Sequence, residues 1–535
     1  MSLKIVASGA AAAAAAEFVP VLVADKVASR IAAKDFTLWG KDAEAESSIR
    51  LGWVTSAFDS ADQVAPILAL RDEFAAQGLN RFVLCGMGGS SLAPEVITGT
   101  AGVELVVLDS TDPDQVNAAL AGDLARTAVV VSSKSGSTVE TDSQKRTFER
   151  AFAEAGLPVA ERIVIVTDPG SPMEAAAKAD GYRIFNADPT VGGRYSALTA
   201  FGLVPSGLAG ADIAGLLADA QGVAELLASD SAENPGLILG AAMARTIKAS
   251  GTGYRDKVGV IADGTPIVGF GDWAEQLIAE STGKIGKGVL PVVLQPESFE
   301  VTNGIDDMLL VRVVADATAA TGDEVSISGS LGAQFLVWEY ATVVASRLLE
   351  LNPFDQPDVE SAKIAARAML SEGAAAAAPA LFVDGGIEVR AYNLDLADVS
   401  TVAGAVKALF AALSTEDGYV SVQTYLDRTE VAEAYGLREA VAKATGRPTT
   451  FGWGPRFLHS TGQYHKGGPR QGVFLQIVTK NEADLAVPGR EFSFGELIAS
   501  QSAGDAKVLG DLPRPVLMLT LSDVRAGLAS VTAAL

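Results

Sequence analysis

The chain has few of the residues that build disulfides and metal clusters. Its 535 residues include one cysteine, Cys85, and two histidines. A single cysteine cannot form an intrachain disulfide, and a cluster of thiolate ligands for a metal ion is excluded for the same reason. The cysteine count is typical of a reducing compartment, so we expect a cytoplasmic location.

Basic residues are scarce relative to acidic ones. The sequence has 41 lysines and arginines against 65 aspartates and glutamates, which gives a net charge of -24. Such a field repels polyanions, so we expect neither a nucleic-acid partner nor an anionic membrane surface. No window approaches the roughly 18 to 20 strongly apolar residues that cross a bilayer. An anionic substrate would need a local cluster of cations.

The length predicts two or three domains. An alanine tract at 10–16, followed by an amphipathic pattern at 19–33, predicts a helical N-terminal segment over residues 1–60. We expect a first domain over 61–235, a second over 236–500 and a C-terminal segment over 501–535. A second alanine tract, at 373–379, is interpreted as a connector or helix end.

Short β-branched runs alternate with helical stretches, first over residues 80–200 and again after residue 257. Such alternation predicts βαβ units and parallel sheets covered on both faces, which is the α/β class. The first series has predicted strands at 81–85, 104–108, 128–131 and 162–166, with helices at 140–155 and 172–179. The second has predicted strands at 257–261, 289–294, 309–314 and 472–478. We therefore expect two sheets.

Two polar turns follow predicted strands of the first series. Residues 132–138 read SSKSGST and open a helix, and residues 86–95 read GMGGSSLAPE. Hydroxyls, backbone N–H groups and the positive end of a helix dipole suit a phosphate group. The glycine spacing is not that of a dinucleotide-binding turn, which disfavours a nicotinamide cofactor. The alternative for each turn is an ordinary capped helix without a ligand.

Three further segments carry candidate catalytic side chains. Arg194 lies in the glycine loop VGGRYS, and Gln276 and Glu280 share one face of a predicted helix that ends at Gly283. A carboxylate in the last helical turn faces the negative end of the dipole, which favours proton exchange near neutral pH. The alternatives are a solvated arginine and an exposed glutamate.

Both histidines, His459 and His465, lie in one glycine-rich loop that contains LHSTGQ. Histidine titrates near neutrality, so the loop is a candidate polar site. A metal pair is the alternative, although no third ligand of suitable spacing accompanies the two imidazoles. We therefore predict no metal and no cofactor.

The ordered set of motifs resembles the phosphoglucose isomerase family. It comprises GMGGSSLAP, SSKSGSTVET, VGGRYS, WAEQLIAESTGK, NPFDQPDVE with Lys363, and LHSTGQ, and spans residues 80–470. The resemblance implies two flavodoxin-like αβα sandwich domains of the sugar-isomerase type. In familiar members the histidine motif precedes the FDQ segment, whereas here it follows it. That order is similar to the isomerase portion of actinobacterial proteins in which a transaldolase and an isomerase are fused.

The resemblance also implies site roles, residue by residue. Glu280 would move a proton between C2 and C1, Arg194 would stabilise the negative charge that develops, and His459 and Lys363 would open the sugar ring. His465 and Lys466 are alternatives that could share the work of His459. The substrate-binding set would be Gly89, Ser90, Ser133, Lys134, Ser135, Thr138, Gly193, Gln276 and Gln356.

The implied activity is reversible isomerisation of glucose 6-phosphate to fructose 6-phosphate through an enediolate. Two alternatives stay open: a broader isomerase that also acts on mannose 6-phosphate, and a non-catalytic phosphosugar-binding protein. The family also implies a homodimer. We expect the predicted helix at 334–351 to offer an apolar face for it, and the His459 loop to reach the Glu280 site of the partner subunit.

Overall fold

The computed structural model describes residues 3–359, 364–366, 368, 370, 378–480 and 483–535. Lys363 and most of the connector predicted at 373–379 lie outside the described residues. The described chain is organised around three sheets, each built mainly from parallel strands.

The first sheet has five strands, all parallel. In spatial order they are Val106–Leu108, Arg81–Gly86, Thr127–Ser132, Ile163–Thr167 and Arg183–Asn186. The chain order is therefore 2-1-3-4-5, which is the flavodoxin-like order. The first four strands lie within two residues of the predicted bounds. The last strand was not predicted, because its sequence RIFN is short and carries no clear period.

The second sheet contains four parallel strands and one antiparallel edge strand. In spatial order they are Lys4–Ala7, Glu324–Ser328, Met308–Val314, Lys257–Asp263 and Leu290–Leu294. The edge strand Lys4–Ala7 belongs to the N-terminal segment expected to be helical. The helices Gly9–Ala24 and Val27–Ala32 follow it. A four-residue strand carries too short a pattern to be distinguished from the start of the alanine-rich helix.

The third sheet has six strands and was not expected as a separate unit. In spatial order they are Phe382–Asp384, Ile387–Tyr392, Val516–Leu521, Gly472–Thr479, Tyr419–Tyr425 and Thr449–Trp453. The strand Gly472–Thr479, which we expected in the second sheet, belongs here. A continuous apolar run shows that a strand is buried but not which neighbours it pairs with. The α/β class and the mostly parallel sheets are confirmed.

The α-helices cover the sheets and pack against one another between them. The longer ones are Val64–Ala76, Leu92–Ala101, Pro113–Leu120, Val139–Glu154, Pro172–Asp180, Ala200–Ala209, Ile213–Ala228, Pro235–Arg245, Phe270–Thr282, Leu331–Leu349, Val402–Ala411, Gly436–Thr445, Phe494–Asp511 and Val524–Ala534. Among the described residues, no helix combines the length and the apolar character that spanning a bilayer demands.

The helix Leu331–Leu349 is the centre of the largest core. Every residue from 331 to 346 is buried, and the helix packs against Ile213–Ala228, Pro235–Arg245 and Phe270–Thr282. This contradicts the expectation that the predicted helix at 334–351 offers an apolar face to a partner subunit. An all-round apolar helix is buried within the fold rather than at a subunit surface.

Gly332 tests how tightly this central helix is packed. A Cβ atom at Gly332 would lie 2.0 Å from the carbonyl oxygen of Leu216, so Gly332→Ala must displace backbone. We expect destabilisation of about 1–3 kcal/mol, seen as a lower melting temperature. The matched control is Gly222→Ala on the neighbouring helix, where the added Cβ meets nothing within 4 Å. The control should be neutral or more stable, because alanine favours the helix. Equal melting temperatures for the two variants would contradict this packing.

Candidate active site

The candidate site lies at the carboxyl edge of the first sheet. The adjacent strands Arg81–Gly86 and Thr127–Ser132 lead into the turn Gly88–Ser90 and the loop 133–138. The chain order reverses between these two strands, and ligands of doubly wound sheets bind at such a switch point. Both polar turns predicted from the sequence therefore lie where the topology favours a ligand.

The loop 133–138 is rich in hydroxyl groups and precedes the helix Val139–Glu154. The hydroxyls of Ser133 and Thr138 lie 3.1 Å apart, and those of Ser135 and Ser137 lie 3.0 Å apart. The backbone N–H of Gly136 donates to Ser133 Oγ at 3.2 Å. Hydroxyls beside the N-terminus of a 16-residue helix suit an anion such as phosphate.

Lys134, predicted to bind the substrate, has a protein partner. Its Nζ donates to Asp168 Oδ2 at 2.6 Å and to the carbonyl of Pro189 at 3.4 Å. Burial, the largest influence, lowers the pKa of this lysine. The ammonium of Lys134 is therefore hydrogen-bonded to neighbouring protein groups beside the loop.

Paired glycines bring the turn at Gly88 and the arginine loop into direct backbone contact. A Cβ atom at Gly89 would lie 2.0 Å from the carbonyl oxygen of Gly193, so no larger residue fits there. Gly88 has a φ of 55°, a left-handed conformation that favours glycine. This close approach fixes the short 3-10 helix Gly193–Tyr195, which carries Arg194, against the first sheet.

Arg194 is buried and all five of its N–H groups have acceptors. The acceptors are Ser281 Oγ at 2.9 Å from Nε, Glu280 Oε2 at 3.3 Å and Gln356 Oε1 at 2.9 Å from Nη1, and the carbonyls of Pro353 at 2.6 Å and Asp355 at 3.1 Å from Nη2. An arginine has five such donors, so the guanidinium is held in one orientation. The structure thus brings together the predicted Arg194, Glu280 and Gln356.

Glu280 lies near the end of the helix Phe270–Thr282 and is 8% exposed. The next turn begins at Gly283, where an added Cβ would lie 2.5 Å from Tyr464 Cα. This contact seats the helix Gly462–Gly467 against the end of the Glu280 helix. Glu280 is therefore a carboxylate shielded from bulk water beside a guanidinium, which makes it a candidate for proton transfer.

His459 reaches the same site from the third sheet. Its Nε2 lies 2.9 Å from Glu140 Oε1, and Gln501 Nε2 donates to the same oxygen at 2.7 Å. The backbone carbonyl of His459 accepts a 2.7 Å hydrogen bond from Gln276, one helical turn before Glu280. The amide of Gln276, predicted to lie beside the phosphate, therefore holds the histidine loop.

These contacts are all made within one chain. We expected the His459 loop to reach the Glu280 site of a partner subunit, and the structure instead packs it against Gln276 and Glu140 of its own chain. The third sheet delivers the loop directly, so no exchange between subunits is needed to place the histidine.

His465 and Lys466 are not placed to share the work of His459. The imidazole of His465 lies 3.0 Å from the Tyr419 hydroxyl and 3.3 Å from that of Ser421, and burial holds its pKa well below the usual range. Lys466 pairs with buried Asp505 at 2.5 Å. Both side chains belong to the interior beneath the third sheet.

The structure adds polar groups to the site that the sequence did not single out. Glu140 contacts His459, and Gln501 donates to Glu140. Ser281 contacts Arg194, and Lys284 binds the turn that holds Gln356. Glu140 had a signal, since it lies in the first turn of the helix that directly follows the hydroxyl-rich loop. Gln501 lies in a helix more than 300 residues away and had none.

A buried ionic cluster anchors the histidine loop to the first sheet. Arg456, three residues before His459, contacts Glu95 Oε2 at 2.5 Å and Asp109 Oδ2 at 2.9 Å. Arg428 contacts Glu95 Oε1 at 2.8 Å. Glu95 follows the GMGGSSLAP turn, so the cluster joins that turn to the third sheet. The carboxylates hold the pKa of Arg456 above its usual range despite its burial.

The fold and the site define a doubly wound α/β protein with a buried carboxylate–guanidinium pair beside a hydroxyl-rich sheet edge that suits an anion. The family model of phosphoglucose isomerase matches residues 72–289. A glucose-6-phosphate isomerase of Rubrobacter xylanophilus is 30% identical over 367 residues, covering 55% of this chain and 84% of the relative. A probable glucose-6-phosphate isomerase of Haloarcula marismortui is 29% identical over 377 residues, covering 61% and 84%. The chain belongs to the phosphoglucose isomerase family.

Solved structures agree in fold. A hypothetical protein of Thermus thermophilus superposes with a TM-score of 0.58 at 23% identity, covering 69% of this chain and 99% of that one. A glucose-6-phosphate isomerase of Chlamydia trachomatis gives a TM-score of 0.50 at 20% identity, covering 62% and 74%.

The ionic cluster generates a stability prediction. Arg456→Met leaves Glu95 and Asp109 with less compensation in a buried site, and we expect a loss of about 3–5 kcal/mol, measured as a lower melting temperature. The matched control is Arg525→Met, which removes an exposed ion pair with Glu433 and should change stability by less than about 1 kcal/mol. Similar melting temperatures for the two variants would argue against an anchoring role for Arg456.

Proposed function

We propose that this protein catalyses the reversible isomerisation of glucose 6-phosphate and fructose 6-phosphate. The observation that carries the proposal is the buried pair of Glu280 and Arg194, 3.3 Å apart, beside the hydroxyl-rich loop 133–138. The names of the family's relatives support the same activity.

In the proposed reaction, the Glu280 carboxylate removes the proton from C2 of the open-chain aldose. The electron pair forms a C1–C2 double bond and negative charge develops on the oxygen at C1. Glu280 then returns the proton to C1, and the proton of the C2 hydroxyl moves to the C1 oxygen, so that the ketose forms without change in composition. Proton transfer by a positioned group contributes typically about 10²–10⁴-fold.

Arg194 supplies positive charge where the enediolate forms. Its five hydrogen bonds fix the guanidinium before substrate binds, so little reorganisation is needed when charge develops. Gln356 Oε1 accepts one of these five hydrogen bonds, so its side chain belongs to the same preorganised group. All five N–H donors of Arg194 are already used. Its proposed role therefore depends on the fixed position of its positive charge and not on a free hydrogen-bond donor.

Ring opening is assigned to His459, with Glu140 as the partner that orients its imidazole. The 2.9 Å contact between His459 Nε2 and Glu140 supports a proton-exchanging pair. Lys363, outside the described residues, is assigned to the same step on the family resemblance. The phosphate would bind at Ser90, Ser133, Lys134, Ser135 and Thr138, and Gly89 and Gly193 would contact the rest of the substrate. Phosphate binding holds the sugar over Glu280, because remote binding energy positions the reacting carbons.

The family resemblance also supports assembly as a homodimer, a cytoplasmic location and likeness to the isomerase portion of transaldolase fusions. These remain part of the proposal. The dimer interface would involve surfaces other than the helix Leu331–Leu349, which the chain itself buries.

The purified protein should convert fructose 6-phosphate to glucose 6-phosphate. Separate detection of glucose and mannose 6-phosphates distinguishes the proposed activity from a broader isomerase. Binding of fructose 6-phosphate without any conversion would support a phosphosugar-binding protein and contradict the proposal.

Glu280→Gln tests the assigned base. The amide keeps the size of the side chain but accepts no proton, so we expect turnover to fall by at least about a thousandfold while substrate binding is largely kept. The control is Glu297→Gln, at an exposed position that is not among the candidate site residues, which should leave turnover unchanged. A Glu280→Gln protein with more than a tenth of wild-type turnover would contradict the assignment of Glu280 as the base.

Mixing two inactive variants tests whether the site is built within one chain. His459→Ala and Glu280→Gln chains, dissociated and reassociated together, should stay at the activity of the parents because both side chains belong to the same chain's site. Differently tagged chains verify that subunits exchange. Sites shared across a dimer interface would instead return up to about a quarter of wild-type activity, since a mixed dimer would hold one intact site.

A further inference from the structure

Lys284 is a buried cation immediately behind the candidate site. It follows the Glu280 helix by two residues and is 2% exposed. Its Nζ donates to the carbonyls of Asn352 at 2.7 Å and Asp355 at 2.6 Å, and to Asp355 Oδ1 at 2.7 Å. An ammonium has three donors, so these three acceptors use its full capacity.

The acceptors belong to the turn that holds Arg194. The carbonyls of Pro353 and Asp355 accept from Nη2 of Arg194, and Gln356 accepts from Nη1. The Asp355 carbonyl accepts from both Lys284 and Arg194. One five-residue turn is therefore bound by two cations, Lys284 and Arg194.

Further contacts within the described residues also reach the turn. Phe354 N–H donates to Asn352 Oδ1 at 3.0 Å, and the Phe354 ring packs against Trp39 and Tyr195. The Tyr195 hydroxyl also donates to the Pro353 carbonyl at 3.3 Å, whereas the Asp355 carbonyl accepts from Lys284 and Arg194. Without Lys284, the Asp355 carboxylate and two carbonyls would lose a buried donor, and Arg194 would be bound to a less ordered partner.

We propose that Lys284 is a positioning residue, whose ammonium holds the turn 352–356 so that Arg194 keeps its place beside Glu280. The inference rests on the proposed function for its activity readout, and on hydrogen exchange for a readout that does not depend on it. All three donors of the Lys284 ammonium are used on the turn, so none is left for a substrate.

The protonation of Lys284 gives the proposal a pH signature. Burial, the largest influence, and the nearby Arg194 lower the pKa of Lys284 to about 8, while Asp355 and Glu280 oppose them. Lys287 lies three residues after Lys284, and its ammonium donates instead to the carbonyl of Leu349 and to the Glu350 carboxylate. A neutral amine has two N–H groups, so one of the three acceptors loses its donor. Activity should therefore fall as pH rises through about 8.

Stability should move in the other direction. The pKa of Lys284 is lower in the folded chain than its ordinary value of 10.5, so between about pH 8 and 10.5 the unfolded chain binds the additional proton. The contribution of this group to the free energy of unfolding therefore rises with pH in that window. A fall in turnover caused by Lys284 is thus distinct from a loss of folded protein.

The experiment compares Lys284→Met, Lys284→Arg and the matched control Lys287→Met. For Lys284→Met we expect kcat to fall about a hundredfold with KM changed less than about threefold, because misplacement of about 1 Å has that effect. Its peptides covering residues 350–359 should exchange amide hydrogens faster. Lys284→Arg keeps its charge at high pH, so it should recover at least a tenth of wild-type kcat and lose the fall near pH 8. Lys287→Met should match the wild type in each measurement.

Several outcomes would overturn the proposal. A folded Lys284→Met protein with wild-type kcat and unchanged exchange over 350–359 contradicts it. If Lys284→Met does not fold, Lys284→Arg decides, since a wild-type fall in activity near pH 8 that persists in the arginine variant assigns that fall to another group and contradicts the proposal. If the wild type does not isomerise fructose 6-phosphate, the proposed function fails, and the exchange measurement alone then decides the role of Lys284.

Discussion

The site depends on one constraint, which is that every N–H group of the buried Arg194 has a hydrogen-bond acceptor. A buried guanidinium is costly unless every N–H finds an acceptor, and here the acceptors come from two segments: the end of the Glu280 helix and the turn 353–356. Those segments must meet for Arg194 to be buried at all. The close contact of Gly89 with Gly193 adds a further constraint, because it joins the arginine loop to the first sheet. The geometry of the candidate site therefore follows from satisfying one buried charge.

Buried charges also join the third sheet to the rest of the molecule. Arg456 meets Glu95 and Asp109 near the first sheet, while Arg447 meets Asp307, which also pairs with the fully buried Lys257 of the second sheet. Ion pairs of this kind add little net stability over apolar packing, but they penalise any displaced arrangement that leaves a charge unpaired. They therefore fix the relative placement of the sheets, and through Arg456 they fix the loop that carries His459.

Much of the fold could be predicted from local sequence patterns, whereas the candidate site could be predicted only in part. Strands such as Thr127–Ser132 were predictable because continuous β-branched runs bury on both faces of a parallel sheet. The third sheet was missed, since pairing partners are set by tertiary contacts that the run Gly472–Thr479 does not encode. Glu280 and Arg194 were identifiable from their motifs. The role of Lys284 was not, because a lysine after a helix end has no sequence feature that distinguishes a buried anchor from a solvated side chain.

The late position of the histidine motif has a structural explanation. The candidate site forms where loops of the first sheet, the end of the Glu280 helix, the turn 352–356 and a loop of the third sheet meet. The geometry requires that His459 reach Glu140 and Gln276, but it does not require that the loop precede the turn containing Gln356 in the chain. A loop carried by the third sheet, docked through Arg456, meets the same requirement within one chain. Chain order is therefore free to vary as long as the docking charges and the glycine contacts are kept.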